Sequence, residues 1–218
     1  IGYLPSSIIF SQKQQFYRII LIKDPLDMSQ IVVTGRGALF LNDTVAAHKE
    51  LRPVCLHHEQ SAAYAAVAYS DYKGKLGACM VSTGCAGTNA LTGVLNAWQD
   101  GIPCIFISGQ NVLNETTRYT KSDIRTFGQQ EADIIKIVKP ITKYSKMITN
   151  PTQIKYELDK ALFFAHNKIK GPVWLDIPLD IQNSKLEEEK LKSFSAELFH
   201  AKQIFNQTKT LDLKKIIK

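Results

Sequence analysis

The chain has 218 residues, 44% of them hydrophobic and 22% charged, with a formal net charge of +7. That is apolar material enough for one α/β-sized core, and no run of about 18 apolar residues is present to span a membrane. The 27 Lys and Arg are spread along the chain, and the densest basic stretches, in the tail, are diluted by Glu187, Glu188 and Glu189; nucleic-acid readers gather charge on one face, so no nucleic-acid partner is expected.

Residues 1–30 form an atypical leading segment. "IGYLPSSIIFSQ" lacks a basic n-region followed by a clean apolar stretch, so it does not read as a signal peptide. "IVVT" (31–34) predicts a buried strand and "LFLNDTVAAHKE" a helix. "PVCLHH" (53–58) is a second strand, and "EQSAAYAAVAYSDYKG" an alanine-rich helix closed by Gly74, with small residues that allow close packing. "GACMVS" (77–82) is a third strand, followed by a glycine-bearing turn and a helix over 88–99. "PCIFIS" (103–108) carries no charge, as expected of a strand buried on both faces.

The polar stretch 109–127 is longer than most connections, and loops of that length are often functional. "EADIIKIVKP" predicts a short helix stopped at Pro140, and "ITKYSKMI" (141–148) an edge strand. Asn150 and Pro151 then supply an N-cap and a first helical position for a helix with Ile154, Leu158, Ala161, Leu162 and Ala165 on one stripe. "GPVWLDIP" (171–178) is the last buried strand. This alternation predicts an α/β fold, a mostly parallel central sheet with helices on both faces. Residues 183–218 are charged and loosely patterned, and read as a linker leading into a further, central domain.

In such sheets ligands bind beyond the carboxyl ends of the strands. The turn "STGCAGTN" (82–89), the "HHE" at 57–59 and the "SGQ" at 108–110 should therefore converge on one rim. Gly84 and Gly87 permit a tight turn, and Thr88 and Asn89 are natural helix starters. No Lys or Arg lies in that turn, so a phosphate cradle is not its obvious use. Cys55, Cys79, Cys85 and Cys104 show no CxxC pair and no His at zinc spacing, which fits a reducing, cytoplasmic setting and no metal site. His57 and His58, adjacent in the predicted strand, would face opposite ways, one of them into packing. A Glu directly after a strand, such as Glu59, is on its own most simply a carboxylate stabilised by a helix dipole.

The run "HHEQSAAYAAVAYSDYKGKLGACMVSTGCAGTNALTGVLNAWQDGIPCIFISGQ", continued through "RTFGQQEADIIKIVKPITKYSKMITNPTQIKYELDKALFFAHNKIKGPVWLDIPLDIQ", resembles the N-terminal, pyrimidine-binding domain of thiamine-diphosphate-dependent enzymes of the acetolactate (acetohydroxyacid) synthase type. The resemblance covers roughly 31–182. It implies that the glycine-lined turn lies against the flat, neutral aminopyrimidine of the cofactor, which needs close backbone approach and no cation. It implies that Glu59 is the catalytic carboxylate, sharing a proton with ring nitrogen N1′ so that the thiazolium C2 can be deprotonated. Gly35, Gly37, Gly84, Cys85 and Asn89 fall at cofactor-facing positions. Gln110, Phe127 and Gln129 (or Gln130) fall in loops at the substrate end of the cleft.

The implied activity is decarboxylation and carboligation of 2-keto acids. Mg2+ and the diphosphate belong to another domain, marked by a Gly-Asp-Gly motif absent from this chain. The family pairs this domain with the diphosphate-binding domain of a second subunit, so at least a homodimer is expected and the chain alone should neither hold the cofactor tightly nor turn over. FAD contacts in relatives come largely from the central domain, so this chain does not support flavin. Three departures stand out: Arg36 where the nearest subgroup has glycine, and Cys85 and Ala86 in a turn that usually reads Gly-Pro-Gly. If position 86 had positive φ, its methyl would cost on the order of 1 kcal/mol. They leave open a second reading, a non-catalytic relative that keeps the fold as an assembly module.

Overall fold

The computed structural model describes residues 29–48 and 51–200; the expectations for residues 1–28 and for 201–218 lie outside these. Six strands form one sheet: β1 (Ser29–Val32), β2 (Arg52–Cys55), β3 (Gly77–Val81), β4 (Cys104–Gln110), β5 (Tyr144–Met147) and β6 (Val173–Pro178). They run in the order β2-β1-β3-β4-β6-β5, and every neighbouring pair is parallel. The principal helices are α1 (Leu39–Ala47), α2 (Glu59–Lys73), α3 (Cys85–Asn89), α4 (Leu91–Gln99), α5 (Thr117–Thr120), α6 (Ile134–Val138), α7 (Ile154–His166) and α8 (Leu179–Gln182). No described helix is long and apolar enough to cross a membrane.

The central strands are buried along their whole length, and their side chains divide by the two-residue period of a strand. Ala78, Met80, Ile105, Ile107, Val173, Leu175 and Ile177 pack with Leu41 and Val45 of α1 and Ile154, Leu158, Ala161 and Ala165 of α7. Cys79, Val81, Phe106 and Trp174 face the other way, onto Ala62, Ala63 and Ala66 of α2, Val94 and Ala97 of α4, and Ile134 and Val138 of α6. The small residues of α2 let it lie against α4 so closely that a Cβ at Gly93 would stand 2.5 Å from that of Ala63. Trp174 is fully buried and stacks on Phe106, centroids 5.5 Å apart.

Several boundaries differ from the sequence expectation. β1 ends at Val32, because the chain turns out of the sheet at the exposed Thr34. β2 ends at Cys55, with Leu56 N donating to Val32 O as the last rung (3.0 Å). His57 and His58 therefore lie beyond the strand, both exposed, and neither packs in the core. The helix expected from 88 begins instead at Cys85, capped by Gly84, so Thr88 and Asn89 lie inside its first turns. Asn150 does cap its element, accepting from Thr152 N at 3.0 Å, and among the described residues β5 is an edge strand bonded only to β6.

The charged stretch after β6 folds back onto the domain as far as residue 200. Leu186 and Leu191 are buried in the α1/α7 layer, and Phe194 and Phe199 stand 5.3 and 5.6 Å from Phe163 of α7.

Candidate functional site

Strand order reverses about β1: β2 lies on one side of it and β3 on the other. At a switch of this kind the crossing connections diverge and leave a crevice. A cleft of about 610 Å³ occupies that position. Its walls are the turn 34–37 after β1, the turn 82–89 after β3, Glu59 at the head of α2, and Asn111, Gln129 and Gln130 from the connection after β4.

Glycine is required where these walls meet. Gly84 has φ +61, a conformation costly for residues with a Cβ, and an added Cβ would fall 1.7 Å from the Gln130 carbonyl oxygen. Gly37 approaches the other side, its Cβ position 1.7 Å from Thr83 Oγ1, and its N–H donates to Ser82 Oγ at 3.1 Å. The two turns are thus in backbone contact. Ala86 lies in the first turn of α3 and not in the left-handed region, so its methyl brings no backbone strain. Cys85 is exposed at the cleft.

Glu59 is half-buried at the first position of α2, where the helix dipole favours a carboxylate. Its Oε2 accepts from Asn89 Nδ2 at 2.7 Å, and the same Nδ2 lies 3.3 Å from His58 Nε2. Because Asn89 is not a helix cap, its amide is free to reach across to α2 and fix the carboxylate. Arg36 leans over the cleft and donates from Nη1 to Gln129 Oε1 at 2.8 Å. Arg36, Thr34 and Gly35 also border a second, more apolar cavity of about 650 Å³ between α1 and the β1–β2 edge.

Glu59, Gly35, Gly37, Cys85, Asn89 and Gln129 therefore come together, with Gly84 immediately beneath. Two expected residues do not join them. Phe127 is 57% exposed and outside the cleft wall, its N–H donating to Glu131 Oε2 at 2.9 Å. Gln110 is buried: its Nε2 donates to Ala132 O (3.2 Å) and Asp176 Oδ2 (3.3 Å), and its Oε1 accepts from Asn111 N (3.0 Å). Asn111, one residue further on, faces the cleft and donates from Nδ2 to Gln129 O at 3.0 Å. Ser82, Thr83 and Asn111 were missed because single polar residues flanking a recognised motif carry no pattern of their own.

Behind this wall lies a buried acid. Asp176 of β6 is fully buried and accepts from Ser108 Oγ at 2.7 Å and from Gln110, and it forms an ion pair with Arg118, Nη2 to Oδ2 3.6 Å. Ser108 Oγ in turn accepts from Trp174 Nε1 at 2.9 Å. Arg118 also pairs with Asp133, itself bridged to Lys136. Burial pushes the Asp176 carboxyl up to about 6, against the lowering effect of Ser108, Arg118 and Gln110. The folded value lies above the unfolded one, so the folded state binds the extra proton between them. Stability from this group therefore increases as pH falls from about 6 toward 4, by on the order of 3 kcal/mol. Urea denaturation should show the difference between the unsubstituted protein and Asp176→Asn changing across that window and flat above it. A pH-independent difference contradicts the assignment.

The lining residues include one formal anion, Glu59, and one formal cation, Arg36; the rest are small or neutral polar groups. Thr83 Oγ1 is buried at this wall without a hydrogen-bond partner. A flat, neutral heterocycle with polar edges fits such a lining. A diphosphate with its metal does not: among the described lining residues one guanidinium is the only cation, and no described group of three or more His, Cys, Asp or Glu stands together.

The sequence matches the family model described as "Thiamine pyrophosphate enzyme, N-terminal TPP binding domain" over residues 29–137. It is 34% identical over 155 residues to the acetolactate synthase large subunit of Corynebacterium glutamicum, covering 71% of this chain and 24% of that protein. Over 164 residues it is 34% identical to the acetolactate synthase of Mycobacterium leprae (75% and 25% covered). The large subunit of Haemophilus influenzae is 33% identical over 149 residues (68% and 25% covered). The chain spans about a quarter of the length of the curated relatives it matches.

Proposed function

Because the chain belongs to the thiamine pyrophosphate enzymes, as an acetolactate-synthase-like form of their N-terminal TPP binding domain, we propose that its cleft takes the aminopyrimidine half of thiamine diphosphate in an enzyme that decarboxylates and joins 2-keto acids. The observation that carries this reading is the Glu59 carboxylate held at 2.7 Å by Asn89, in a neutral, glycine-walled cleft at the switch point of the sheet.

Bound thiamine diphosphate supplies the carbon nucleophile for the keto carbonyl. The protein's share is orientation and one proton relay. Glu59 holds a proton against ring nitrogen N1′ and takes it back, and Asn89 keeps the carboxylate pointed into the cleft. The 34–37 and 82–85 turns, free of bulky side chains at their contact, let backbone approach the ring face. The buried Asp176–Gln110–Asn111 chain of hydrogen bonds steadies the wall that carries Gln129. Phe127 and Gln110 act, in this reading, from the loop and from beneath the wall on the substrate side.

Magnesium and the diphosphate are assigned to a diphosphate-binding domain of a second subunit, which closes the cleft in a homodimer or larger assembly. A cytoplasmic setting fits four free cysteines, two of them buried thiols: desolvation pushes Cys104 up to about 12 and Cys79 higher still. The test is to combine the chain with a diphosphate-binding domain of the family, thiamine diphosphate, Mg2+ and pyruvate. Release of carbon dioxide with formation of acetolactate is expected. Assembly with no release would favour the non-catalytic module.

A further inference from the structure

Charge in the cleft is unevenly matched. Glu59 is engaged by a neutral amide, and so is Arg36, whose guanidinium donates to Gln129 Oε1. Among the described residues Arg36 makes no ion pair, whereas Arg118, Lys136 and Lys190 each do. A guanidinium carries five N–H donors in a planar fork, and Gln129 takes one, leaving donors and a full positive charge at the opening.

We propose that Arg36 is a specificity-determining residue that receives the carboxylate of a 2-oxo acid entering the cleft, with Gln129 holding the guanidinium in place. The proposal rests on the reading that the cleft serves 2-keto acids. Three observations select this ligand chemistry. A single cation with a neutral companion balances one negative charge, not the several of a diphosphate. The fork matches a planar carboxylate with two parallel hydrogen bonds, a geometry that a lysine could not reproduce. Arg36 and Gln129 both line the same cleft as Glu59, so an anion held between them sits beside the proposed proton relay. Gln129 is itself steadied through its backbone carbonyl, which accepts from the buried Asn111, so the tether is anchored to the core.

The test needs no cofactor, so its outcome stands apart from that of the catalytic reading. The full chain is titrated with oxamate, an unreactive anion shaped like pyruvate, while the backbone amide resonances of Gly35 to Ala38 are followed by NMR. Oxamate is expected to shift these resonances, and Arg36→Gln to weaken binding by about 10- to 100-fold, the loss of a charge-assisted pair. Gln129→Ala keeps the charge and loses the tether, and should weaken binding by a smaller factor, about 3- to 10-fold. Neutral oxamide should bind no better to the unsubstituted chain than to Arg36→Gln.

No localised shift with oxamate in the unsubstituted chain overturns the proposal, as do equal affinities in the Arg36→Gln variant. Tighter thiamine diphosphate binding by Arg36→Gly, with oxamate binding unchanged, would identify Arg36 as a plug and also overturn it. If carbon dioxide release fails in the assembled protein while the oxamate result holds, the catalytic reading fails and the anion site stands.

Discussion

Glu59→Gln is expected to lower turnover of the assembled protein by about 10²- to 10⁴-fold, the range that a positioned acid–base group contributes. The substitution is nearly isosteric, and the glutamine carbonyl can still accept from Asn89 Nδ2, now 2.7 Å from the carboxylate. Folding and cofactor affinity should therefore change little, and the loss should fall on kcat. Asn89→Ala should act in the same direction and less strongly, because it frees the carboxylate to rotate without removing it. Steady-state kinetics with a parallel thermal melt separates the cases. A Glu59→Gln protein that melts normally and retains full turnover would remove Glu59 from the chemistry.

The largest stability effect should come from Trp174→Ala, at about 3–5 kcal/mol, the usual cost of deleting a buried large aromatic. Trp174 has no exposed surface and stacks on Phe106 in the layer beneath α2 and α4. Its loss also leaves Ser108 Oγ without the Nε1 donor, next to the buried Asp176. Trp98, 42% exposed on α4, is the natural comparison, and Trp98→Ala should cost well under half as much. Urea denaturation of the two variants decides it: similar midpoints would mean that the Phe106–Trp174 layer is not the keystone of that face.

These two sites also mark what could and could not be read from the residues alone. The uncharged run "PCIFIS" and the mostly apolar run "GPVWLDIP" point to strands buried on both faces, and the structure has them as β4 and β6, side by side inside the sheet. Convergence of the 57–59 and 82–89 segments follows from parallel strands ending on one rim, and Glu59 and Asn89 do meet there. Gln110 was legible as a residue at that rim but not as a buried one. Whether a strand-end side chain points out to the cleft or down to Asp176 depends on a register fixed by partners 66 residues away. The same limit applied to His57 and His58: an edge strand ends where its neighbour stops pairing with it, and β1 stops at Val32. The aromatic packing of Phe194 and Phe199 on α7 was hidden for a simpler reason, since their spacing lies in a stretch dominated by charge.

Proton transfer at Glu59 is reported most directly by the exchange of the cofactor's C2 proton for deuterium, measured by NMR after acid quench, with the chain assembled with its diphosphate-binding domain and no keto acid present. Exchange in the unsubstituted protein should exceed that in Glu59→Gln by about 100-fold or more. Equal exchange rates in the two proteins, with cofactor bound in both, would show that this carboxylate relays no proton.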